Sequence, residues 1–361
     1  QEIADVNNKL VASVGTCSVM GTASTMACIV EALGMTVPGC ASPPAPTAAR
    51  MRIAEETGSV AVQMAKSGLT IDTILTAKAF ENAMRVLLAI GGSTNAIVHL
   101  TAIAGRVGFE VDLKALDRMG RETPVLVDLK PSGLHYMEHF HAAGGMTTLL
   151  RELKPLLHLD CMTVTGRTLG EELDAAPADF AQNVIRPRSK PIYPQGGIAV
   201  LWGNLAPGGA IIKQSAADAK LMEHEGRAVV FENIADMAQR IDSDDLDVNA
   251  NDILVLKNIG PKGAPGMPEA GYMPIPLKLA RAGVKDIVRI SDGRMSGTAF
   301  GTIVLHVTPE SAIGGPLAYV RNGDRIRLSV EQRAISLLVS EDELARRAIE
   351  NPVVEPTADR G

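Results

Sequence analysis

The stretch Ile198-Ala199-Val200-Leu201-Trp202-Gly203-Asn204-Leu205-Ala206-Pro207-Gly208-Gly209-Ala210-Ile211-Ile212 marks a change of texture in the chain. Its two short β-rich runs, Ile198–Trp202 and Ala210–Ile212, are bounded by Gly, Asn and Pro, which turn the backbone or remove a hydrogen-bond donor. Similar runs recur at Ala228–Phe231, Ile253–Leu256, Asp286–Ile290 and Thr302–Val307. Arg325–Val330 and Ala334–Val339, separated by Glu331-Gln332-Arg333, read as one more hairpin. Helical spacing is suggested only at Ile234–Ile241, Pro276–Ala282 and Asp342–Ile349. A largely β domain is therefore expected over 190–361.

Upstream the period changes. From about Thr22 to Leu157 apolar residues recur at helical spacing, as in Met26, Ile29, Val30 and Leu33, and again in Met84, Leu87 and Leu88. Gly and Pro clusters at Pro38–Pro46 and Gly91–Gly92 interrupt the helices, and Pro124–Leu129 is a candidate strand. The expectation is an α/β fold, with a helix-rich α/β part over 1–189 joined to the second domain through a linker-like segment at Pro187–Gln195.

Of 361 residues, 46% are hydrophobic and 21% charged, the balance of a globular protein with room for a large core. Aromatics make up 3%, so Ala, Val, Ile, Leu and Met must fill that core. The net charge of −6 and the lack of any Lys/Arg run leave no basic face for a phosphate backbone, and nucleic acid is not an expected partner. Apolar runs such as Thr302–Val307 and Ile335–Val339 are far shorter than the ~20 residues of a membrane-spanning helix. Gln1–Val14 lacks the long apolar run of a signal peptide, and a cytoplasmic location is expected by default.

Several segments are candidates for chemistry. In Gly15-Thr16-Cys17-Ser18-Val19-Met20-Gly21-Thr22-Ala23-Ser24-Thr25-Met26-Ala27, a cysteine sits on a Gly- and Ser/Thr-rich turn leading into a helix. Helix-end N–H groups favour negative charge there, which suits a thiolate ligand or nucleophile; the competing reading is a small core cysteine. Cys28, Cys40 and Cys161 read as structural, and the four spacings match no CxxC pair, so a self-contained cluster or zinc site is not expected. Gly260-Pro261-Lys262-Gly263-Ala264-Pro265-Gly266-Met267-Pro268-Glu269-Ala270-Gly271 is a loop stiffened by Gly and Pro that displays one hard oxygen ligand, Glu269, of the kind Mg²⁺ takes. An ordinary solvated loop is the alternative, and Lys262 does not stand at P-loop spacing. Ser291-Asp292-Gly293-Arg294-Met295-Ser296-Gly297-Thr298 follows a predicted strand and projects Ser296 from a glycine turn, without matching GxSxG. His135-Tyr136-Met137-Glu138-His139 fits H-x-x-E-H, but five residues are a weak signal beside Pro131-Ser132-Gly133, a helix entry. That segment reads as structural, His141 included, and His99 reads as a helix histidine.

Taken together, these segments resemble the iron–sulfur dehydratases that include dihydroxy-acid, 6-phosphogluconate and aldonate (arabinonate, xylonate) dehydratases. The resemblance runs from about Val14 to Asn351 and is most specific in Gly15–Ala27 with Glu31-Ala32-Leu33-Gly34-Met35, Gly91–Asn95, Gly203–Pro207, Gly260–Gly271 and Asp292–Thr298. It implies a β-barrel-like C-terminal domain and a site between the domains. By the same resemblance Cys17 is one of three cysteine ligands of an Fe–S cluster, two-iron rather than four-iron. Glu269 is a Mg²⁺ ligand, Ser296 the catalytic base, and Gly297 and Thr298 contact substrate.

The implied reaction removes water from a small 2,3-dihydroxy or sugar acid to leave a 2-keto acid, in a homodimer or homotetramer. Mg²⁺ absorbs the charge of the enolate, and an iron lacking a fourth cysteine assists loss of the C3 hydroxyl. Family members carry a further N-terminal segment with the other two cluster cysteines and most Mg²⁺ ligands, including a lysine that can be carbamylated. The chain as given is therefore expected to hold neither an intact cluster nor a complete Mg²⁺ site, and to be inactive alone. Gly15–Thr22, Leu256–Pro261 and Glu138–Gly145 look more like the aldonate branch. Dihydroxy-acid dehydratase of branched-chain amino-acid synthesis is the alternative, and a non-catalytic assembly or interaction domain is a third reading.

Overall fold

The computed structural model describes residues 1–7, 14–269 and 273–350. The chain divides between Gly197 and Ile198 into two compact units. Among the described residues of the first, ten α-helices carry the fold: α1 (Glu2–Asn7), α2 (Thr22–Ala32), α3 (Ala48–Ser67), α4 (Ile71–Ile74), α5 (Ala77–Ala89), α6 (Asn95–Arg106), α7 (Leu113–Glu122), α8 (Met137–Ala142), α9 (Gly145–Leu153) and α10 (Leu169–Ala175). Threonines start several of them: the side chains of Thr47, Thr76 and Thr168 accept from Arg50 N, Ala79 N and Glu171 N, satisfying N–H groups that the first helical turn leaves open. Cys28 of α2, Val86 and Ala89 of α5, and Met146 and Leu149 of α9 meet in one buried core.

The strand expected at Pro124–Leu129 is realised only as isolated bridges, Val125 with Tyr193, Val127 with Ile185 and Leu129 with His135. Its partner segment carries Pro187 and Pro191, which have no N–H and break any continuous ladder. The same segment is not a free linker. Ile192 N donates to Val125 O at 2.9 Å, Gly196 N to Gly120 O at 2.7 Å and Gly197 N to Leu88 O at 2.9 Å.

The second unit is a closed barrel. Its strands are β1 (Ala199–Gly203), β2 (Ala206–Ile212), β3 (Glu223–Phe231), β4 (Ile253–Leu256), β5 (Val288–Ser291), β6 (Ile303–Thr308), β7 (Arg325–Ser329) and β8 (Ala334–Leu337). They close in the order β1-β2-β6-β5-β4-β3-β7-β8. The run β3, β4, β5, β6 is parallel, whereas β1/β2, β2/β6, β3/β7 and β7/β8 are antiparallel. Small and branched residues at alternate positions, such as Ala228, Val230, Ile253, Val255, Val288 and Ile290, fill the interior, as a narrow barrel requires.

Parallel strands must be covered on their outer face as well. Here α11 (Ile234–Arg240) supplies Met237 against Val229, Phe231 and Leu254, and α12 (Leu277–Arg281) contributes Leu279 to the same layer. The antiparallel β3/β7 pair instead shows water a charged face, with Glu225 bonded to Arg325 at 3.0 Å and Arg327 at 2.8 Å. Helix α13 (Glu341–Glu350) ends the described chain. The helix-rich first part and barrel-like second part are the fold class expected from the residues and the resemblance. Among the described residues no helix is long and apolar enough to cross a membrane.

Candidate active site

In the first unit Cys17 is exposed on the wall of a cleft of about 520 Å³. Helix α2 begins at Thr22 with Gly21 as its cap, so Cys17 lies in a bend ahead of the first turn and not on it. The backbone at Gly15 needs glycine: its φ is +121°, and a Cβ there would stand 2.9 Å from the Cβ of Ala45. One wall is the α2 face of Met26, Ala27 and Val30; the other is the loop that carries Cys40 and Pro43. The Gly91–Asn95 motif braces the start of α2. Ser93 Oγ lies 2.8 Å from Thr22 Oγ1, Ser93 N donates to Thr25 Oγ1 at 3.0 Å, and Asn95 Nδ2 donates to Thr22 Oγ1 at 3.0 Å.

The Cys40 loop is pinned by side chains around it. Glu31 accepts from Gly39 N at 2.7 Å and from Ala41 N at 2.8 Å. Arg50 donates to Cys40 O at 2.8 Å and to Pro43 O at 2.7 Å, and its Nη1 lies 3.6 Å from Cys40 Sγ. His141 Nδ1 stands 3.2 Å from Ser42 Oγ. Burial pushes the Glu31 carboxyl up to about 7, against the pull of both backbone donors and of Arg50. Burial, helped by Arg50, lowers His141 below the usual histidine range. Cys28 and Cys161 are buried with thiols raised mainly by burial, as structural cysteines should be.

In the second unit the structure brings the Gly260–Glu269 loop and the Asp292–Thr298 turn together; Ala270 and Gly271 of the quoted loop lie outside the described residues. Strand β5 delivers its end directly to Asp292, whose carboxylate accepts from Ile259 N at 3.1 Å and Ser311 N at 2.8 Å. Glu310 accepts from Lys262 N at 2.9 Å and Gly263 N at 2.9 Å. At Gly293 a Cβ would stand 2.3 Å from Ile259 Cδ1, so only glycine allows so close a crossing. Arg294 reaches across: its Nε donates to Met267 O and its Nη1 to Glu269 Oε1 at 3.2 Å. Ser296 is half-buried, with Oγ 2.9 Å from Thr298 Oγ1; Gly297 is buried and Thr298 exposed.

The residues singled out in the sequence thus fall into two groups, Cys17 in the first unit and Glu269, Ser296, Gly297 and Thr298 in the second. Sequence reasoning gave no role to Glu310, Arg50 or Arg294. A lone carboxylate or guanidinium that anchors loop backbone leaves no spacing signature to find.

Among the described residues, no group of three or more His, Cys, Asp or Glu is placed to hold a metal ion. Cys17 suits a cluster as one exposed thiolate donor, and Glu269 suits Mg²⁺ as one hard oxygen donor already paired with Arg294. Neither makes a complete site by itself. The H-x-x-E-H segment cannot act as a zinc motif: Pro131–Gly133 forms a turn and α8 starts only at Met137, leaving His135 off the helix. His139 Nδ1 accepts from Tyr136 N at 3.1 Å instead.

Comparison with known proteins bears on both units at once. Residues 1–172 match the family described as dihydroxy-acid/6-phosphogluconate dehydratase N-terminal, and residues 183–360 match its C-terminal counterpart. The chain belongs to the dihydroxy-acid/6-phosphogluconate dehydratase family. Among its relatives within this family, an L-arabonate dehydratase of Azospirillum brasilense is 52% identical over 338 residues, 93% of this chain and 57% of that protein. A 6-deoxy-6-sulfo-D-gluconate dehydratase of Pseudomonas putida is 46% identical over 346 residues, 95% of this chain and 60% of its own. A dihydroxy-acid dehydratase of Methanosarcina barkeri is 40% identical over 351 residues, 96% of this chain and 63% of its own. The chain thus spans about three-fifths of the length of these curated relatives.

Proposed function

We propose that this chain is part of a hydro-lyase that dehydrates a sugar acid, an aldonate, to a 2-keto-3-deoxy acid with an Fe–S cluster and Mg²⁺. The observation that carries the reading is the 52% identity to an L-arabonate dehydratase across 93% of the chain, against 40% to a dihydroxy-acid dehydratase. In this reading Cys17 gives the cluster one thiolate, Glu269 gives Mg²⁺ one oxygen, and the cluster is two-iron. When bound, cluster and Mg²⁺ supply Lewis acidity to the leaving hydroxyl and to the substrate carboxylate.

The remaining steps belong to the chain's own residues. Ser296 Oγ takes the C2 proton, and the electron pair of that C–H bond forms the C2–C3 double bond as the C3 hydroxyl leaves. The proton gained by Ser296 passes to the departing hydroxide, which leaves as water, and the enol tautomerises to the 2-keto acid as its hydroxyl proton is exchanged for one at C3. A serine hydroxyl serves as base only where its alkoxide is stabilised, and Arg294 ties Glu269, the Mg²⁺ ligand of this reading, to the same turn. In this reading Gly297 and Thr298 contact the acid, in a cytoplasmic homodimer or homotetramer.

Turnover of L-arabinonate, D-gluconate and 2,3-dihydroxyisovalerate by the full-length, cluster-loaded protein tests this. Faster turnover of an aldonate is expected; preference for the branched acid would move the reading to dihydroxy-acid dehydratase. No turnover, together with a lack of iron and acid-labile sulfide, would leave a non-catalytic interaction role.

A further inference from the structure

Lys213 follows directly on β2, is 8% exposed, and has a buried Nζ with no hydrogen-bond partner among the described residues. Its setting follows from the ladder. Ile211 pairs with Leu305 and Ile212 with Val304, so Lys213 continues β2 on the face of Ile211, beside Ile303. Ile212 and Val304 point into the barrel core, whereas Ile303 and Leu305 pack outside it with Met295 and Ala299. Met295 and Ala299 flank Ser296–Thr298 on either side. Lys213 therefore stands on the sheet face that the Ser296 turn covers.

A buried ammonium without a counter-charge is costly, and it either loses its proton or acquires an anion. Three other cations buried in this unit have found theirs: Lys257 meets Glu232 at 3.0 Å, Arg289 meets Asp286 at 3.0 Å and Arg347 meets Asp324 at 2.6 Å. Burial brings the Lys213 ammonium down to about 8, so it stays mostly charged at neutral pH. A charge kept at such cost beside a Gly-framed turn is the setting of a ligand contact.

We propose that Lys213 is an anion receptor of the Ser296 site, taking the carboxylate of a hydroxy acid as its missing counter-charge while the turn from Met295 to Ala299 yields to admit it. This rests on the reading of that turn as the substrate site. The test uses the chain itself, with thermal unfolding followed by fluorescence of Trp202, the single tryptophan, which lies in β1 of the same unit. Sodium gluconate is the probe, with sodium chloride at matched ionic strength as control. The wild type is expected to gain thermal stability saturably with gluconate, as any ligand of the native state produces. Lys213→Met should need at least ~10-fold more gluconate for the same shift, and Lys213→Arg should stay within about threefold of the wild type. Removing an unpaired buried charge does not threaten folding, so the Met variant remains measurable.

Equal gluconate responses of wild type and Lys213→Met would overturn the proposal while leaving the dehydratase reading intact. An equal response of the wild type to chloride would reduce the site to an adventitious ion and overturn it too, as would no gluconate response at all. Loss of response in Lys213→Met, with no sugar-acid turnover by the full-length protein, would keep the anion site and sink the dehydratase reading.

Discussion

Glu31 makes the first unit's stability depend on pH in a direction opposite to that of most carboxylates. Its carboxyl titrates near 7 in the folded chain, against 4.5 for an ordinary glutamate. A folded value raised in this way gives stability that is fully present below pH ~4.5 and is lost as pH rises through ~7, because ionising the buried group opposes folding. At about 1.4 kcal/mol per unit, and allowing for partial ionisation at each end, the loss between pH 5 and pH 8 is about 2–3 kcal/mol. Burial sets it, against the pull of the Ala41 and Gly39 amides and of Arg50, the charged neighbour. Glu31→Gln removes the titration, so the variant should lack that part of the pH slope. Urea unfolding followed by far-ultraviolet circular dichroism reads the helical unit, which Trp202 fluorescence does not. Amide hydrogen exchange at Gly39 and Ala41 is the local check: in Glu31→Gln one of these donors faces an amide NH₂ and should exchange faster. Identical pH slopes for wild type and variant would refute the reasoning.

In the full-length protein, Cys17→Ser should abolish cluster retention while Cys161→Ser leaves it intact; normal iron in the Cys17 variant removes that thiol from the ligand set. Glu269→Gln should raise the Mg²⁺ requirement with little loss of stability, since its exposed pair with Arg294 is worth at most ~1 kcal/mol; unchanged Mg²⁺ dependence would return the loop to a structural role. Ser296→Ala should keep cluster and substrate binding but lose at least ~100-fold in kcat, whereas loss of the Thr298 hydrogen bond alone would cost ~1 kcal/mol of stability and little rate.

The barrel strands were readable because each is a short run of branched and small apolar residues cut off by Gly, Pro, Asn or Asp. Ile253–Leu256 matches its observed limits, whereas Ala228–Phe231 and Ala210–Ile212 cover only the C-terminal parts of β3 and β2, whose first residues are polar or glycine-rich. Strand order and closure were not readable from composition. Pairing β2 with β6 and β3 with β7 joins residues far apart in the chain, and register between such segments is decided by the shared core. Pro124–Leu129 shows the opposite failure: locally strand-like, it met a partner interrupted by prolines.

The chemistry-bearing residues were legible for a different reason from the residues that hold them. Cys17, Glu269 and Ser296 stand in glycine-rich turns, and glycine in a turn is a visible mark. The groups that fix the neighbouring loops share one device with no such mark, a carboxylate receiving backbone N–H donors from a loop. Glu31 holds Gly39 and Ala41, Asp292 joins Ile259 to Ser311, and Glu310 holds Lys262 and Gly263. A carboxylate has four acceptor positions and no donor, so two loop amides can share it without competition, and the loop is fixed through backbone whatever its side chains are. The Gly260–Glu269 loop and the Ser296 turn are thereby held through their backbone, as a preorganised site requires. Lys213 departs from this pattern as a buried charge on the same side of the barrel with nothing in the described chain to answer it.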